Sequence, residues 1–379
     1  MALAVASGLA HFDMVGIRED LSDLVSDILL ADTNLLSRVG IAGEATNTTH
    51  SWLEDALNAT TVTDEEALDA AGTTVDFDVL TGQGARTRVG TLLRSRTKGK
   101  TEVLQVTAVT TDNLTITRGY GSTSAEAHAS GTIWDIVGNP KQSGADASDD
   151  VSTTRSRVSN FCQIFERGIK IAGDAQAVTK AGIPDEVAHQ SAQRLMELMV
   201  ELDMTLIKGI VSASDGSDTV YRTAKGLIEF LSASGGNSNT TAEEVNPDVI
   251  NAMYTQAFDD GGDPDVLVVN QTQMKKISKF DADKVRTIPG TRLAGSFVAQ
   301  FMTDLGKVLD IIVDRHMPPD TIMVLDTPRI AAVPLSSRGF GIEPIAKTGD
   351  SFKRQVLGDY TVECRNALKA HAIHSNLST

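Results

Sequence analysis

Residues 183–210 read IPDEVAHQSAQRLMELMVELDMTLIKGI, and this stretch constrains the chain more than any other. Pro184 suits a first helical turn, where its missing N–H costs nothing. Asp185 and Glu186 follow at the end that favours negative charge. Ala188, Ala192, Leu195, Leu198, Met199, Leu202 and Leu206 recur at spacings of three and four, which predicts one apolar helix face. Glu186, Gln190, Gln193, Glu197, Glu201 and Lys208 form the opposite stripe, and Gly209 with the Ser-rich run after Val211 gives a stop. Such a helix reaches roughly 40 Å at 1.5 Å per residue. That length suits a rod on which other elements hang, with Leu195, Leu198, Leu202 and Leu206 as its core face.

A chain of 379 residues with 41% hydrophobic content can bury a sizeable core around that rod. Aromatics are only 4%, so the core must be aliphatic, and each tryptophan is worth notice; Trp52 reads as an anchor. The net charge of −16 argues against a surface built to grip nucleic acid or an anionic membrane. Cys162 and Cys364 show no metal or redox spacing and read as reduced thiols, with a bridge between chains the lesser alternative. The N-terminal run makes a poor signal peptide, and no run approaches a membrane span.

In chain order, residues 1–16 read as a flexible arm. Arg18 to Leu30 follows as a short amphipathic helix that must dock on something. Thr46 to Leu57 is irregular, and Thr60 to Thr74 is linker-like. From Val75 the period changes to two: VDFDV, TEVLQVTAV, LTITR and TIWDIV are strands with Gly-, Asn- and Asp-rich connections, implying an inserted β-barrel or sandwich module. Residues 151–173 read as a long exposed strand carrying Arg155, Arg157, Arg167 and Lys170. Exposed edges are hazards in a monomer, so pairing with another subunit is expected. Beyond the long helix the pattern is α/β: a helix at Pro247 to Phe258, buried strands DVLVVN, VLDIIVD and TIMVLD, a helix after the first of them, and an irregular loop at Lys284 to Phe301. One long strand runs to Arg365, with a short return after it.

No catalytic constellation emerges, and neither a phosphate-loop motif nor a G-x-S-x-G motif is present. GQGARTRVG (82–90) reads as a hairpin turn. His11, His50, His128, His189, His316, His371 and His374 are scattered; the close pair at 371 and 374 falls on opposite faces of an extended segment, so no metal site is expected. Asp259, Asp260, Asp263 and Asp265 lack the calcium-loop spacing and read as a solvated turn. No cofactor is called for. The cations at 155, 157, 167 and 170 have acidic neighbours and suit a charge-paired subunit contact better than nucleic acid.

The ordered set of segments resembles the major capsid proteins of tailed bacteriophages with the Hong Kong 97-like fold, in the branch with a β insertion in the extended loop. The resemblance is carried by IREDLSDLVSDILLADTNLLSRVG, NTTHSWLEDAL, ITRGYGSTSAEAHASG, SRVSNFCQIFERGIKIAGDAQAVTKAG, LGKVLDIIVDRHMPPDTIMVLD and AKTGDSFKRQVLGDYTVECRNALKAHAIH. It implies an α+β chain divided into an N-terminal arm (1–45), a peripheral domain (46–57, 179–216 and 344–379, with a spine helix at 183–210), an extended loop (58–178) with a β insertion at 75–138, and an axial domain (217–343). It further implies a non-enzymatic structural protein that forms hexamers and pentamers, closes an icosahedral shell round double-stranded DNA without binding it specifically, and meets a portal protein at one vertex. The chain lacks a long N-terminal scaffolding domain, leaving a separate scaffold or a cleaved precursor open, and decoration proteins are further partners. Assembly is expected in the host cytoplasm. Arg155, Arg157, Phe161, Phe165, Arg167 and Lys170 are the expected loop contacts: the rings anchor and the cations meet a neighbour's acids. An encapsulin-like cargo shell and an α/β enzyme are the competing readings.

Overall fold

A computed structural model describes residues 33–70, 72, 74–141, 143, 144, 146, 152–178, 185–280 and 300–379. The arm, the helix expected at Arg18 to Leu30, Ile183 and Pro184, and most of the Lys284–Phe301 loop lie outside these residues. The chain divides into unit 1 (Met1–Trp52 and Val158–Thr379) and unit 2 (Leu53–Arg157). Helix α1 (Asn34–Val39) buries Leu35 and Leu36. The TNTTHSWLEDAL segment, irregular by pattern, contains strand β1 (Thr49–Glu54).

Unit 2 holds β2 (Thr61–Thr63), β3 (Thr74–Asp78), β4 (Leu92–Ser95), β5 (Val103–Thr110), β6 (Asn113–Thr117) and β7 (Ile133–Gly138). They form one antiparallel sheet in the order β2-β7-β4-β5-β6-β3, and its two edges meet at an Asp64–Val79 bridge. Period-two alternation sends Val62, Phe77, Leu93, Leu104, Val106, Leu114, Ile116 and Trp134 into one core. The β2 strand falls in the segment expected to be a linker, because three residues are too short for a period to show. The 82–90 turn is not a hairpin: β3 pairs with β6, and β4 pairs with β5 and β7. The Asp112 carboxylate accepts the N–H groups of Gly82 and Gly84 at 2.9 and 3.0 Å, folding the segment into a 3₁₀ turn. A Cβ on Gly84 would stand 1.8 Å from the Thr111 carbonyl oxygen, so only glycine fits.

The chain re-enters unit 1 through β8 (Ser156–Phe161), which pairs with β1, and continues into β9 (Gln163–Ala172) and the short α2 (Gly173–Ala177). Helix α3 (Glu186–Lys208) follows. Asp185 caps it, accepting from the N–H groups of Val187 and Ala188. Leu198, Leu202 and Leu206 are fully buried and Leu195 packs partly against the same core. Ala188 and Ala192 are exposed, correcting the expected face: Val187 and Ser191 occupy the inward positions of those turns. The helix stops at Gly209, where Gly226 donates to its carbonyl at 2.8 Å; a Cβ on Gly226 would stand 2.4 Å from the Gly209 nitrogen.

The remaining elements are α4 (Leu227–Leu231), β10 (Ser238–Asn239), α5 (Pro247–Asp259), β11 (Val266–Val269), α6 (Gln271–Ile277), β12 (Gln300–Met302), β13 (Val308–Val313), β14 (Ile322–Leu325), β15 (Ile330–Pro334), β16 (Gly341–Pro344), β17 (Ser351–Cys364) and β18 (Ala372–His374). One mixed sheet runs β10-β18-β14-β11-β13-β12. It is covered on both faces. Val266 and Val268 join the core that includes α3, while Leu267 and Val269 join the core of α5 and α6. That is why β11 and β14 are unbroken apolar runs. In the second sheet β17 is the central strand, with β15 and β16 along one side and β9 along the other.

Candidate assembly surface

The long strand expected to be an exposed edge is paired along one side within its own chain, and among the described residues its other side remains an edge. β9 runs antiparallel to β17 from Gln163–Tyr360 to Ala172–Ser351. This register decides where each side chain goes. Odd-numbered residues of β9 face α3, so Phe165 is buried against Phe340 and Tyr360, with ring centroids 6.3 and 6.4 Å away. Phe165 is therefore a core residue of its own chain and not a contact for a neighbour. Burying such a ring is worth ~1.5–3 kcal/mol to the fold.

Arg167 lies on the same side as Phe165 and donates to Glu201 at 2.6 Å, with Glu197 3.9 Å away. Its first partners are thus the stripe of α3, while Arg194 holds Glu197 from the same helix. Phe161 is half-buried beside Asn160, which is itself buried and donates to the carbonyls of Lys225 and Val362. Lys170 points to the opposite face of β9 and is exposed. Trp52 is buried in the unit 1 core, its ring 6.0 Å from that of Phe230. Arg155 and Arg157 belong to unit 2, where both are exposed and Arg155 reaches Asp55 at 3.4 Å.

A groove of about 440 Å³ runs between β9 and the first half of α3. Its lining brings the cations Arg167 and Arg194 together with Glu186 and Gln190, and Arg194 donates to Gln190 at 3.3 Å. On the same face of the sheet, Phe352 of β17 and Ile342 of β16 are exposed apolar side chains. A surface of this kind, charged of both signs with separate apolar points, suits a protein partner rather than a small substrate.

The remaining sequence candidates resolve as follows. Asp260 pairs with Lys369, Asp263 with Lys307, and Asp265 with Arg38, so three of the four aspartates of the turn meet separate cations. Cys162 and Cys364 are buried and form no disulfide; burial pushes the Cys162 thiol up to about 11, so it is a poor nucleophile. His371 and His374 are fully buried. His371 Nδ1 accepts from the Asp326 N–H at 3.0 Å, and His374 Nε2 meets Glu243 at 2.7 Å. Two buried polar groups gave no pattern in sequence. In unit 2, Glu102 binds Arg118 at 2.7 Å and His128 at 3.0 Å. Burial opposes the Glu102 charge, but the Arg118 and His128 bonds outweigh it and hold its carboxyl below the usual range. In unit 1, Asp203, Asp314 and His316 bring one possible ligand atom each to within 4.8 Å of one another, alone in this among the described residues. No helix among the described residues is long and apolar enough to cross a membrane.

A family model described as SU10 major capsid protein matches residues 7–378. The chain belongs to the SU10 major capsid protein family. The fold agrees. The capsid of the native GTA particle superposes with a TM-score of 0.55 at 10% identity, covering 99% of this chain and 100% of that one. The cyanophage A-1(L) capsid gives 0.50 at 9% identity, covering 98% and 99%. No curated protein matches the sequence. The α+β architecture is thus the Hong Kong 97-like capsid fold, and this major capsid protein is a structural component of a phage virion whose copies associate into a shell.

Proposed function

We propose that this capsid protein forms hexamers and pentamers that close an icosahedral shell around a double-stranded DNA genome, with a portal protein at one vertex. The match of the family model across residues 7–378 carries this reading. Within it, β1, α3 and the long strand β17 belong to the peripheral domain (46–57, 179–216 and 344–379). Residues 217–343 supply the axial domain, and residues 58–178 supply the extended loop, with its β insertion at 75–138. The net charge of −16 supports a container that does not grip its contents, since DNA must enter and leave. Scaffolding and decoration proteins are further partners, and assembly takes place in the host cytoplasm. Head-to-tail contacts between copies close into rings when the rotation closes.

Expression of the chain alone, followed by electron microscopy, tests the proposal. Closed shells or capsomer rings are the expected result. A monomer at high concentration, unaltered by added scaffold, would overturn it.

A further inference from the structure

Asp203 sits on the inward face of α3 and is fully buried. Asp314, directly after β13, is fully buried too, and His316 follows two residues later, partly buried. One oxygen of each carboxylate has a structural use. Asp203 Oδ1 accepts the Leu36 N–H of α1 at 2.8 Å. Asp314 Oδ1 accepts the His316 N–H at 2.7 Å, folding the chain back so that the imidazole returns to the carboxylate. Asp314 Oδ2 and His316 Nε2 are shut off from solvent and make no hydrogen bond among the described residues. Buried polar atoms without partners are rare and costly.

We propose that Asp203, Asp314 and His316 form a binding site for a divalent transition-metal cation, of the Zn²⁺ or Mn²⁺ class. Two observations of different kinds carry it. The first is the convergence of three ligand-type atoms within 4.8 Å. Ligands around a tetrahedral Zn²⁺ stand roughly 3.4 Å apart given metal–ligand bonds near 2.1 Å, so small side-chain adjustments bring all three into range. The second is the buried, partnerless Asp314 Oδ2, which a cation would satisfy. A mixed oxygen and nitrogen set suits these ions better than Ca²⁺, which prefers oxygens, or Cu⁺, which prefers sulfur.

The placement gives the site its role. Asp203 belongs to α3, Asp314 and His316 to the β13–β14 connection, and Leu36 ties α1 to the same carboxylate. Asn34 of α1 also donates to the Val313 carbonyl at 3.0 Å. A bound ion is therefore a staple that fixes the long helix to the mixed sheet within unit 1, independent of how copies assemble.

The test uses the full chain, stripped with a chelator and titrated separately with ZnCl₂ and MnCl₂. The expected result is about one ion per chain by elemental analysis and a melting temperature that rises with metal concentration, as a ligand of the folded state requires. Asp314→Asn and His316→Gln keep the side-chain volumes, and each weakens binding at least tenfold and abolishes the metal-dependent rise, while the metal-free chain melts at or above the wild-type temperature. Wild-type protein that takes up neither ion, or variants that bind as tightly as wild type, would overturn the proposal.

Discussion

Lys170 of β9 stands directly opposite Lys353 of β17 in the antiparallel register, and among the described residues neither makes an ion pair. Like charges at such a position destabilise a sheet, by about 0.2–1 kcal/mol. The pair gives nothing to the isolated chain, which is consistent with a use in assembly against acidic groups of a neighbour. Lys170→Glu should therefore raise the melting temperature of unassembled protein and reduce shell formation. Calorimetry and sedimentation of the same preparation measure both; particles formed as by wild type would remove Lys170 from the assembly contact.

Arg155 and Arg157 are exposed in unit 2, and Arg155 is held only at 3.4 Å by an exposed Asp55. Exposed pairs of this kind contribute about 0–1 kcal/mol, so the fold does not depend on the Arg155–Asp55 pair. The double reversal Arg155→Glu, Arg157→Glu should leave a soluble folded chain that forms no capsomers. Gel filtration and electron microscopy decide it, and normal shells would show that these cations are not contacts.

Gly226→Ala would push a methyl group to 2.4 Å from the Gly209 nitrogen and 2.6 Å from the Thr205 carbonyl oxygen, both backbone. Neither atom can rotate away. The end of α3 and the start of α4 must separate, at a cost on the order of 3 kcal/mol. Denaturant unfolding should show that loss; a cost within experimental error would mean that this junction is looser than its geometry.

Burial brings the His371 pKa down to about 4, because the protein offers its ring a donor from Asp326 and little hydration for a charge. The neutral ring is the one that fits. Its contribution is therefore complete above the unfolded value near 6.5 and is lost as pH falls from there towards 4, a total of about 3 kcal/mol at 1.36 kcal/mol per unit. Stability measured from pH 7 to pH 4 should fall along this limb, and His371→Asn should flatten it. An unchanged slope in the variant would assign the acid limb to other groups.

In unit 2, the Glu102 carboxylate compensates a fully buried Arg118 guanidinium. Glu102→Ala leaves that charge unpaired and should cost roughly 3–5 kcal/mol. Hydrogen exchange read separately over residues 61–138 checks it, with faster exchange there as the expected outcome.

The sequence by itself determined the parts whose surroundings are periodic. The three-and-four spacing from Leu195 to Leu206 fixed α3, and its end at Gly209 followed from the residue type. The alternation in unit 2 located β3, β5, β6 and β7, and the unbroken apolar runs marked β11 and β14 as covered on both faces. The order of these segments was enough to suggest the capsid family. Only the tertiary structure decided what each strand meets. β9 is an edge strand as its sequence suggests, but that β17 lies along its one paired side could not be read from sequence, because hydrogen-bond partners far along the chain leave no local trace. That pairing turned Phe165 into core and gave Arg167 to Glu201, leaving Lys170 outward. Asp203 reads as one more polar residue on α3 for the same reason. Its burial, and its meeting with Asp314 and His316, come from packing between distant segments, which no periodicity records.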